Sequence, residues 1–593
     1  MISNISYLED HSQSYYFEAA GRTLRQFISA FWFEGTLCGH VERCNDGNTN
    51  LYLQGENEQG QRYAYRIQAY PADSFGRHRL HGAIIDAEIG LAHSDITTIA
   101  TNLLGSIASQ HRLRFINELI HTAAKQTCSL QARRNAGPSG SALDLPYAWQ
   151  EAQLGEGHLY HPCYRSRIGF DLTDHQRYGP EFAQGFTLIW LAMDKRLGVV
   201  YGLADDEYAR FLETEIGKEN LRSLQSVITL AGKETDNYYL LPVHPWHWQH
   251  SVQIQYADWL ADARLLYVGS DQTTWLAQQS IRSLTSLAGE YKYHLKLPLA
   301  IANSSADRIL SDHHVHNAPL ISECLLQLWR EDRYLQEHGR LEILAEPVGI
   351  SLTPAASNEG RYGLLGAIWR QPPSCRLKPG ERAFPCTALT VLGESGLIIA
   401  PWLQQHGAET WIAALLKAML PPFIHLMIAH GILLEAHAQN TVLIVKEGLP
   451  TGVAIRDLPG GLHYIAGYTQ HEVSLRQLRE APAHRNNANA SNGFAMQTKE
   501  EARDYLLEVL LFIHLSELAH RLELHHSFGE KRFWQLAKQA VLDYQIQMPQ
   551  LATQFEQFDL FAPQLRLEKL ASRRLSAAQS QEFHSAPNPL HRT

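Results

Sequence analysis

The sequence has no cysteine pair of the C-x-x-C kind, although its 593 residues include seven cysteines. Scattered, unpaired thiols argue against a zinc ribbon or a disulfide framework and favour a reducing compartment. The N-terminus lacks a basic segment followed by an apolar run, and His, Gln or Pro interrupt the longest apolar runs. We therefore expect neither a signal peptide nor a membrane span. These absences predict a cytoplasmic protein with no membrane partner.

Positive charge is also scarce, because 51 Lys and Arg face 61 Asp and Glu and leave a net charge of −10. A nucleic-acid partner is therefore not expected. The glycine-rich G-x-G-x-x-G loop and the H-R-D sequence of protein kinases are both missing. The 31 histidines include no H-E-x-x-H pair. We expect most of them to be surface or hydrogen-bonded structural residues.

The residues that are present indicate a globular protein, since 45% are hydrophobic and 19% are charged. The length of 593 residues predicts more than one lobe. Residues 1–150 predict a mostly helical lobe with one hairpin, and they carry no cluster of chemically active residues. We place a second domain at 151–350 and a third, helical domain at 351–593. Residues 481–495 predict a mobile loop, and residues from about 573 onward predict a poorly ordered tail.

The most informative stretch is 431–461, which predicts a strand (TVLIV), a turn (KEGLPTG) and a return strand (VAIRD). An antiparallel hairpin of this kind brings Asn440 close to Asp457 at its open end. Upstream, Glu435, His437 and Gln439 alternate and point to one side if the segment is extended. Carboxylate and amide oxygens suit Mg²⁺ carried by a nucleotide phosphate. A turn asparagine and a strand end followed by a Gly-Gly turn explain the same residues equally well.

A second stretch, residues 271–311, carries hydroxyl and cationic groups around a run that predicts a buried strand, KLPLAIA. The groups are Ser280, Arg282, Ser283, Lys296 and Arg308. A lysine that enters an apolar strand is costly unless an anion partners it, and a nucleotide phosphate is such an anion. A lysine whose amine extends to solvent at a strand start is the alternative. Five such groups in one unit favour a polyanion site.

The segment GEGHLYHPCYRSRIGF at 155–170 predicts a loop that binds phosphate or carboxylate. His158, His161, Arg165 and Arg167 fall within ten residues of one another. A surface loop is the alternative, and the segment by itself favours it slightly. Arg370 ends a further apolar, strand-like run, YGLLGAIWR.

Together these motifs resemble the aerobactin-synthetase-like (IucA/IucC) family, the siderophore synthetases that work independently of non-ribosomal peptide synthetases. The motifs are GHLYHPCYRSRIGF, LPVHPWHWQ, SIRS with KLPLAIANSSADR, LEAHAQN and IRDLPGG, in the family's order over residues 155–461. The resemblance implies an α+β, multi-lobed cupped-hand fold of thumb (1–150), fingers (151–350) and palm (351–593). It also implies a kinase-like ATP cleft between fingers and palm.

The resemblance further implies a ligase that uses ATP and Mg²⁺ to adenylate a carboxylate of citrate or a citrate derivative. An amine or hydroxylamine then attacks, and AMP and pyrophosphate are released. It assigns catalysis to Arg308, His437 and Lys296, and substrate contacts to Arg308, His437, Arg165 and Arg167. It assigns ATP and Mg²⁺ to His158, Ser280, Arg282, Ser283, Lys296, Arg370, Glu435, Asn440 and Asp457, of which Glu435, Asn440 and Asp457 would bind the metal.

Three positions depart from the family pattern, with Arg165 where lysine is usual, Ser283 where threonine is commoner, and Arg566 in FAPQLRLEKL, where the usual late lysine is not evident. Two other functions stay open at this point. A small-molecule kinase would use the same Asn440–Asp457 pair and release ADP, and a non-catalytic binder of citrate-like anions would keep only the basic residues. The resemblance also implies a homodimer.

Overall fold

A computed structural model of the protein describes residues 12–44, 49–135, 142–153, 156–304, 306–358, 360–393, 396–481, 494–575 and 581–592. The loop predicted at 481–495 lies mostly outside the described residues. The tail prediction is wrong for residues 583–592, because a strand and a short helix form there. Ala586 and Leu590 are buried in this segment, and their burial keeps the segment against the core.

The N-terminal part consists of helices packed on one antiparallel sheet. Its helices are α1 (Ser12–Phe33), α2 (Ile96–Leu103), α3 (Ser109–Asn135) and α4 (Tyr147–Gln153). The predicted hairpin is part of a five-stranded sheet in chain order, namely β1 (Cys38–Arg43), β2 (Thr49–Glu56), β3 (Arg62–Pro71), β4 (His78–Asp86) and β5 (Ala92–His93). Short turns connect successive strands, so each strand pairs with the next along the chain.

The middle part contains two sheets. The order β8-β6-β9 joins β6 (Ile189–Asp194), β8 (Tyr238–Val243) and β9 (Leu265–Ser270). The order β10-β11-β12-β17-β16-β7 joins β7 (Gly198–Tyr201), β10 (Trp275–Ala277), β11 (Ser283–Ser286), β12 (His294–Lys296), β16 (Val348–Leu352) and β17 (Gly366–Arg370). The pair β13 (Ala302–Asn303) and β14 (Ala306–Asp307) follows β12. The helices are α5 (Leu172–Tyr178), α6 (Asp205–Ile216), α7 (Lys218–Leu230), α8 (Pro245–His247), α9 (Gln253–Gln255) and α10 (Ala257–Ala261).

The C-terminal part surrounds a sheet of order β15-β23-β22-β18, with β15 (Leu341–Ile343), β18 (Glu381–Pro385), β22 (Thr441–Lys446) and β23 (Leu449–Ile455). Its smaller strands are β19 (Leu392–Gly393), β20 (Gly396–Leu397), β21 (Ile432–Leu433), β24 (His463–Ile465), β25 (Ala495–Met496), β26 (Gln564–Glu568) and β27 (Phe583–Pro587). Its helices are α11 (Asp312–Glu331), α12 (Arg333–Glu337), α13 (Ala400–His406), α14 (Ala408–His430), α15 (Glu472–Leu475), α16 (Lys499–Leu507), α17 (Ser516–His526), α18 (Glu530–Gln547), α19 (Ala552–Phe558) and α20 (Pro589–Arg592). The mixed α and β architecture is confirmed.

The chain crosses more than once, near residue 350, between the six-stranded sheet of the middle part and the four-stranded sheet of the C-terminal part. Strand β15 belongs to the C-terminal sheet, β16 and β17 belong to the middle sheet, and β18 returns to the C-terminal sheet. The boundary drawn at 350/351 therefore falls inside β16. The apolar core follows a different division, because the N-terminal and C-terminal parts share one cluster of buried residues and the middle part has its own.

Helix α14 corrects the expectation that no apolar stretch is long enough to span a bilayer. The pair Pro421-Pro422 does not break the chain into two helices, and one 23-residue helix runs through it. By length and composition this helix could cross a membrane, but 72% of its most apolar window is buried inside the protein. It is a core helix. Gly431, with φ of 65°, ends the helix in the left-handed conformation that glycine readily adopts and leads the chain into β21.

Candidate active site

The hairpin of β22 and β23 presents Asn440 and Asp457 at the same end, as the sequence predicts. Thr441 pairs with Ile455, and the Arg456 N–H donates to the Asn440 carbonyl at 3.0 Å. The turn is shorter than predicted, because only Glu447 and Gly448 separate the strands. Both have positive φ, as a type I′ turn requires, so the return strand starts at Leu449.

The segment before β22 is a turn, so the condition of an extended chain, under which Glu435, His437 and Gln439 would point to one side, is not met. The N–H groups of Asn440 and Thr441 both donate to the His437 carbonyl, at 3.0 and 3.1 Å. The turn nevertheless brings Glu435, His437 and Asn440 close together. His437 Nε2 lies 3.8 Å from Glu435 Oε1, and Asn440 Nδ2 donates to the Glu435 carbonyl at 3.1 Å.

Asp457 joins the C-terminal hairpin to the middle sheet. Its Oδ1 pairs with Lys296 Nζ and lies 3.4 Å from Arg370 Nη2. Burial alone would raise the pKa of Asp457, but the cations Lys296, Arg370 and Arg282 hold it far below its usual range. Asp457 has φ of 66°, a left-handed conformation that re-aims its carboxylate after the strand has ended.

The middle sheet lines up the cationic side of the site. Ser283 pairs with Lys296, and His294 pairs with Arg370, so these side chains share one face. Lys296 ends the short strand β12, and the run KLPLAIA is not the buried strand that was predicted, although residues 294–299 are buried. Pro298, two residues after Lys296, has no N–H to donate to a strand ladder.

The loop between β10 and β11 holds the hydroxyl–guanidinium–hydroxyl cluster. Ser280 Oγ accepts the Ser283 N–H at 3.1 Å, and Arg282 Nη1 donates to the Ile309 carbonyl. Between them the buried Ile281 has φ of 70°, which is unfavourable for a β-branched residue. The surrounding packing holds this strained turn, and the turn places Ser280 and Arg282 on one loop next to Lys296.

Part of the Arg308 guanidinium has no hydrogen-bond partner. Its Nη2 donates to the Asn303 carbonyl at 3.4 Å, and its buried Nε makes no hydrogen bond. Burial lowers the pKa of Arg308 to about 10, and nearby Arg282 adds to the effect. A buried guanidinium with an unused donor fits an anion that binds there.

His158 lies on the same side as His437 and Arg308, whose charges act on it. Burial, reinforced by these neighbours, lowers the pKa of His158 to about 4, so the ring is neutral at pH 7. Its Nδ1 accepts the N–H groups of Tyr160 and His161 at 3.1 and 3.0 Å. These two bonds fix the orientation of the ring and leave Nε2 as the protonated nitrogen.

Arg165 and Arg167, which were predicted to contact the substrate, contact Glu181 in the structure. Arg167 makes two hydrogen bonds to Glu181, at 2.9 and 3.0 Å, and lies 2.7 Å from His175 Nδ1. Arg165 Nη1 lies 3.3 Å from the same Glu181. Both guanidinium groups are thus engaged with a buried carboxylate, which their charge holds in its ionised form.

Two groups that the sequence reading missed support this site. Glu346, fully buried after β15, binds Arg370 Nε at 2.7 Å and Nη2 at 2.6 Å. Arg456, next to Asp457, pairs with buried Glu151 at 2.6 Å and donates to Gln278 at 3.1 Å. The sequence contains a signal for Glu346, because a glutamate between two apolar strands, as in ILAEPVGI, needs a buried cation as its partner.

Replacing Arg456 by Met is expected to lower the free energy of unfolding by about 3–5 kcal/mol, because Glu151 would keep a buried charge without its partner. Urea unfolding followed by tryptophan fluorescence measures the change. The exposed pair Arg210–Asp206 supplies the control, since Arg210→Met should cost less than about 1 kcal/mol. Adding Glu151→Leu to Arg456→Met should restore part of the loss. Equal effects of Arg456→Met and Arg210→Met would contradict the expectation.

Gly461 has no room for a side chain, because a Cβ there would lie 2.1 Å from the Cβ of Glu435. We expect Gly461→Ala to displace Glu435 and to lower kcat about tenfold or more, since small displacements of a site residue have large kinetic effects. Steady-state kinetics measure this. In Gly460→Ala the added Cβ would meet nothing closer than 3.8 Å, so that variant is the matched control. Similar kinetics for the two variants would refute the steric argument.

The oxygen atoms of Glu435, Asn440 and Asp457 form a hard donor set that fits Mg²⁺. Burial, with the nearby charge of Asp457, raises the pKa of Glu435 against the attraction of His437. A divalent cation would relieve this repulsion between the two carboxylates. The cations Lys296, Arg282, Arg308 and Arg370 face the same space from the other side.

Comparisons with known proteins agree with the motifs. The IucA / IucC family model matches residues 146–391, which contain the cationic half of the site. A second model, described as ferric iron reductase FhuF-like transporter, matches residues 409–583.

Individual relatives cover nearly the whole chain. The chain is 30% identical to the 2-[(L-alanin-3-ylcarbamoyl)methyl]-3-(2-aminoethylcarbamoyl)-2-hydroxypropanoate synthase of Staphylococcus aureus (strain NCTC 8325 / PS 47), over 96% of this chain and 92% of that protein. It is also 30% identical to the citryl-spermidine/3,4-dihydroxybenzoyl-citryl-spermidine:spermidine ligase of Bacillus anthracis, over 97% and 94%. The crystal structure of petrobactin biosynthesis protein AsbB from Bacillus anthracis str. Sterne superposes with a TM-score of 0.89 at 28% identity, over 98% of each chain. The resemblance seen in the motifs is confirmed, and the chain belongs to the IucA / IucC family.

Proposed function

We propose that this protein is an ATP-dependent siderophore synthetase. In the proposed reaction it adenylates a carboxylate of citrate or a citrate derivative and joins the acyl group to an amine or hydroxylamine, with release of AMP and pyrophosphate. The named activities of the relatives, which include an aerobactin synthase of Escherichia coli and the spermidine ligase above, support this class of reaction. The observation that carries it is the junction of Lys296, Arg370 and Asp457 between the two sheets.

The nucleotide would bind in a cleft between the middle and C-terminal parts, the fingers and palm of a cupped hand whose thumb is the N-terminal part. Lys296, Arg282 and Arg370 are the cations for its phosphates, and Ser280 and Ser283 are the hydroxyl donors. Glu435, Asn440 and Asp457 would hold Mg²⁺, which neutralises phosphate charge when it is bound. The face shared by Ser283, Lys296 and Arg370 supports this arrangement.

The carboxylate substrate would bind to Arg308, with the neutral ring of His158 and the side chain of His437 beside it. A carboxylate oxygen attacks the α-phosphorus of ATP, and the bond to pyrophosphate breaks. Like-charge repulsion between the carboxylate and the triphosphate opposes this step until cations cancel it. Arg308, Arg282 and Lys296 supply that cancellation and stabilise the leaving pyrophosphate. The unused Nε of Arg308 supports this assignment.

The second step needs less from the protein, because an acyl adenylate is already activated. The amine nitrogen attacks the acyl carbon, the bond to AMP breaks, and an amide forms. Positioning of the amine accounts for most of the required acceleration. The proton that the amine loses would pass to solvent, since the Nδ1 of His158 already accepts two backbone N–H groups and its Nε2 carries the proton.

The test is product analysis with purified protein, Mg-ATP, a panel of carboxylic acids and a panel of polyamines. The proposal expects AMP and pyrophosphate release that depends on citrate or a citryl amide. Release of ADP would instead support the kinase, and citrate binding without nucleotide turnover would support the anion-binding protein. A homodimer in the cytoplasm is part of the proposal, and light scattering after size-exclusion chromatography tests the dimer.

A further inference from the structure

Outside the proposed active site, three side chains of the C-terminal part aim their ligand atoms at one point. His425 Nε2 lies 2.8 Å and His430 Nε2 lies 2.6 Å from the same oxygen, Oδ2 of Asp332. The three atoms lie within 4.8 Å of one another. Both histidines come from the last turns of α14, and Asp332 comes from the junction of α11 and α12.

The neighbouring contacts hold these ligand atoms in place. The other carboxylate oxygen of Asp332 accepts the Leu335 N–H at 3.1 Å and caps α12, so Oδ2 is turned toward the imidazoles. The Nδ1 of His425 lies 2.9 Å from the Tyr544 hydroxyl, and Tyr334 packs on the His425 ring with a centroid distance of 4.4 Å. A histidine that binds a metal through one nitrogen commonly has its other nitrogen fixed by a hydrogen bond in this way.

The geometry points to a divalent transition-metal site formed by Asp332, His425 and His430. Ligand atoms about 2.0–2.2 Å from a tetrahedrally bound metal lie roughly 3.3–3.6 Å from one another, so the imidazoles would have to move away from Oδ2 of Asp332 by roughly 0.5–1 Å to admit the ion. His425 is buried, whereas His430 is 22% exposed and provides an entry path. Two imidazoles and one carboxylate favour Zn²⁺ or Fe²⁺ over Mg²⁺ or Ca²⁺, which prefer oxygen ligands.

The position of this site gives the ion a structural consequence. Gly431 ends α14 directly after His430, and the chain then runs through β21 to Glu435 of the proposed active site. A metal bound at both the end of α14 and the α11–α12 junction would restrict the movement of the segment that follows α14, which contains Glu435 and His437. The ring centroid of His471 lies 6.2 Å from that of His430, so His471 is a candidate for a fourth ligand.

The experiment is metal binding by the full-length, chelator-treated protein in the absence of nucleotide. Zn²⁺ is titrated against a chromophoric chelator, bound zinc is counted by mass spectrometry, and Co²⁺ serves as a spectroscopic probe. We expect one tight equivalent in the unmodified protein, its loss in His430→Ala and in Asp332→Asn, and its retention in His338→Ala. His338 is an exposed histidine of the same region and controls for adventitious binding.

Thermal unfolding gives the second readout. Zn²⁺ should raise the Tm of the unmodified protein and of His338→Ala, and should leave that of His430→Ala unchanged, since a ligand stabilises only the state it binds. Equal zinc content and equal Tm shifts in the unmodified protein and His430→Ala would overturn the site and leave a hydrogen-bonded Asp–His–His cluster. If Asp332→Asn fails to fold because the cap of α12 is weakened, the partly exposed His430 still decides the question.

Discussion

Replacing Asp457 by Asn is expected to lower citrate-dependent ATP–pyrophosphate exchange by about 10³-fold or more. Lys296 and Arg370 both lie against its carboxylate, Asn440 lies at the same end of the hairpin, and Asn440 Nδ2 donates to the Glu435 carbonyl. The amide keeps the shape of the side chain but removes the charge that orients the two cations and that would hold Mg²⁺. Phosphate positioning and charge neutralisation are therefore lost together.

The exchange assay is accompanied by calorimetric titration with citrate. The ligase proposal expects Asp457→Asn to lose exchange while the protein still binds the acid at Arg308. Asp206→Asn, on an exposed turn of α6, is the matched control and should exchange at the original rate. Full exchange activity in Asp457→Asn would remove the basis for the nucleotide site, and unchanged citrate binding without any exchange in the unmodified protein would favour the anion binder.

Replacing Arg308 by Met is expected to lower kcat/KM for the carboxylic acid by about 10²–10³-fold and to leave ATP affinity nearly unchanged. Two charge-assisted hydrogen bonds to a carboxylate are each worth about 1.5–3 kcal/mol, and the lower part of the resulting range, about 3–4 kcal/mol in total, corresponds to this magnitude. Methionine preserves much of the length of the side chain. Because the buried Nε of Arg308 has no hydrogen bond, removal of the guanidinium should not destabilise the protein without substrate.

Initial rates at varied acid and saturating ATP measure kcat/KM for the acid, and thermal unfolding measures the stability of the protein without substrate. Arg264→Met removes an exposed arginine that pairs with Asp258 and Asp262, and it should change neither. A raised KM for ATP with an unaltered KM for the acid would reassign Arg308 to the nucleotide. A large fall in Tm would mean that Arg308 stabilises the folded protein and would contradict its assignment as a binding site for the carboxylate.

Local sequence was sufficient where neighbouring residues decide the conformation. The pairing of Asn440 with the strand end at Asp457 follows from the alternation of TVLIV and VAIRD. The C-cap at Gly431 follows from the left-handed preference of glycine. The turn of the hairpin was misjudged because the Pro450-Thr-Gly run looks like a turn, whereas the Glu447-Gly448 pair adopts the left-handed geometry that the strand twist demands.

Long-range partners were not predictable from local patterns. Arg165 and Arg167 have the composition of an anion loop, yet Glu181, fourteen residues beyond Arg167, takes up both charges. Helix α14 contains two prolines that predict a break, yet burial of its apolar face in the core outweighs the hydrogen bonds that they remove. In both cases a tertiary contact is stronger than the local preference.

The sequence by itself determined the family, the hairpin that ends in Asn440 and Asp457, and the set of cations that serve it, because these depend on motifs and on strand alternation. Only the tertiary structure decided that Lys296 and Arg370 meet Asp457, that Glu346 and Arg456 support them, and that Asp332 joins His425 and His430. The physical reason is distance along the chain: 161 residues separate Lys296 from Asp457. A buried charge specifies that it needs a partner, but it does not specify which distant residue the fold will bring to it.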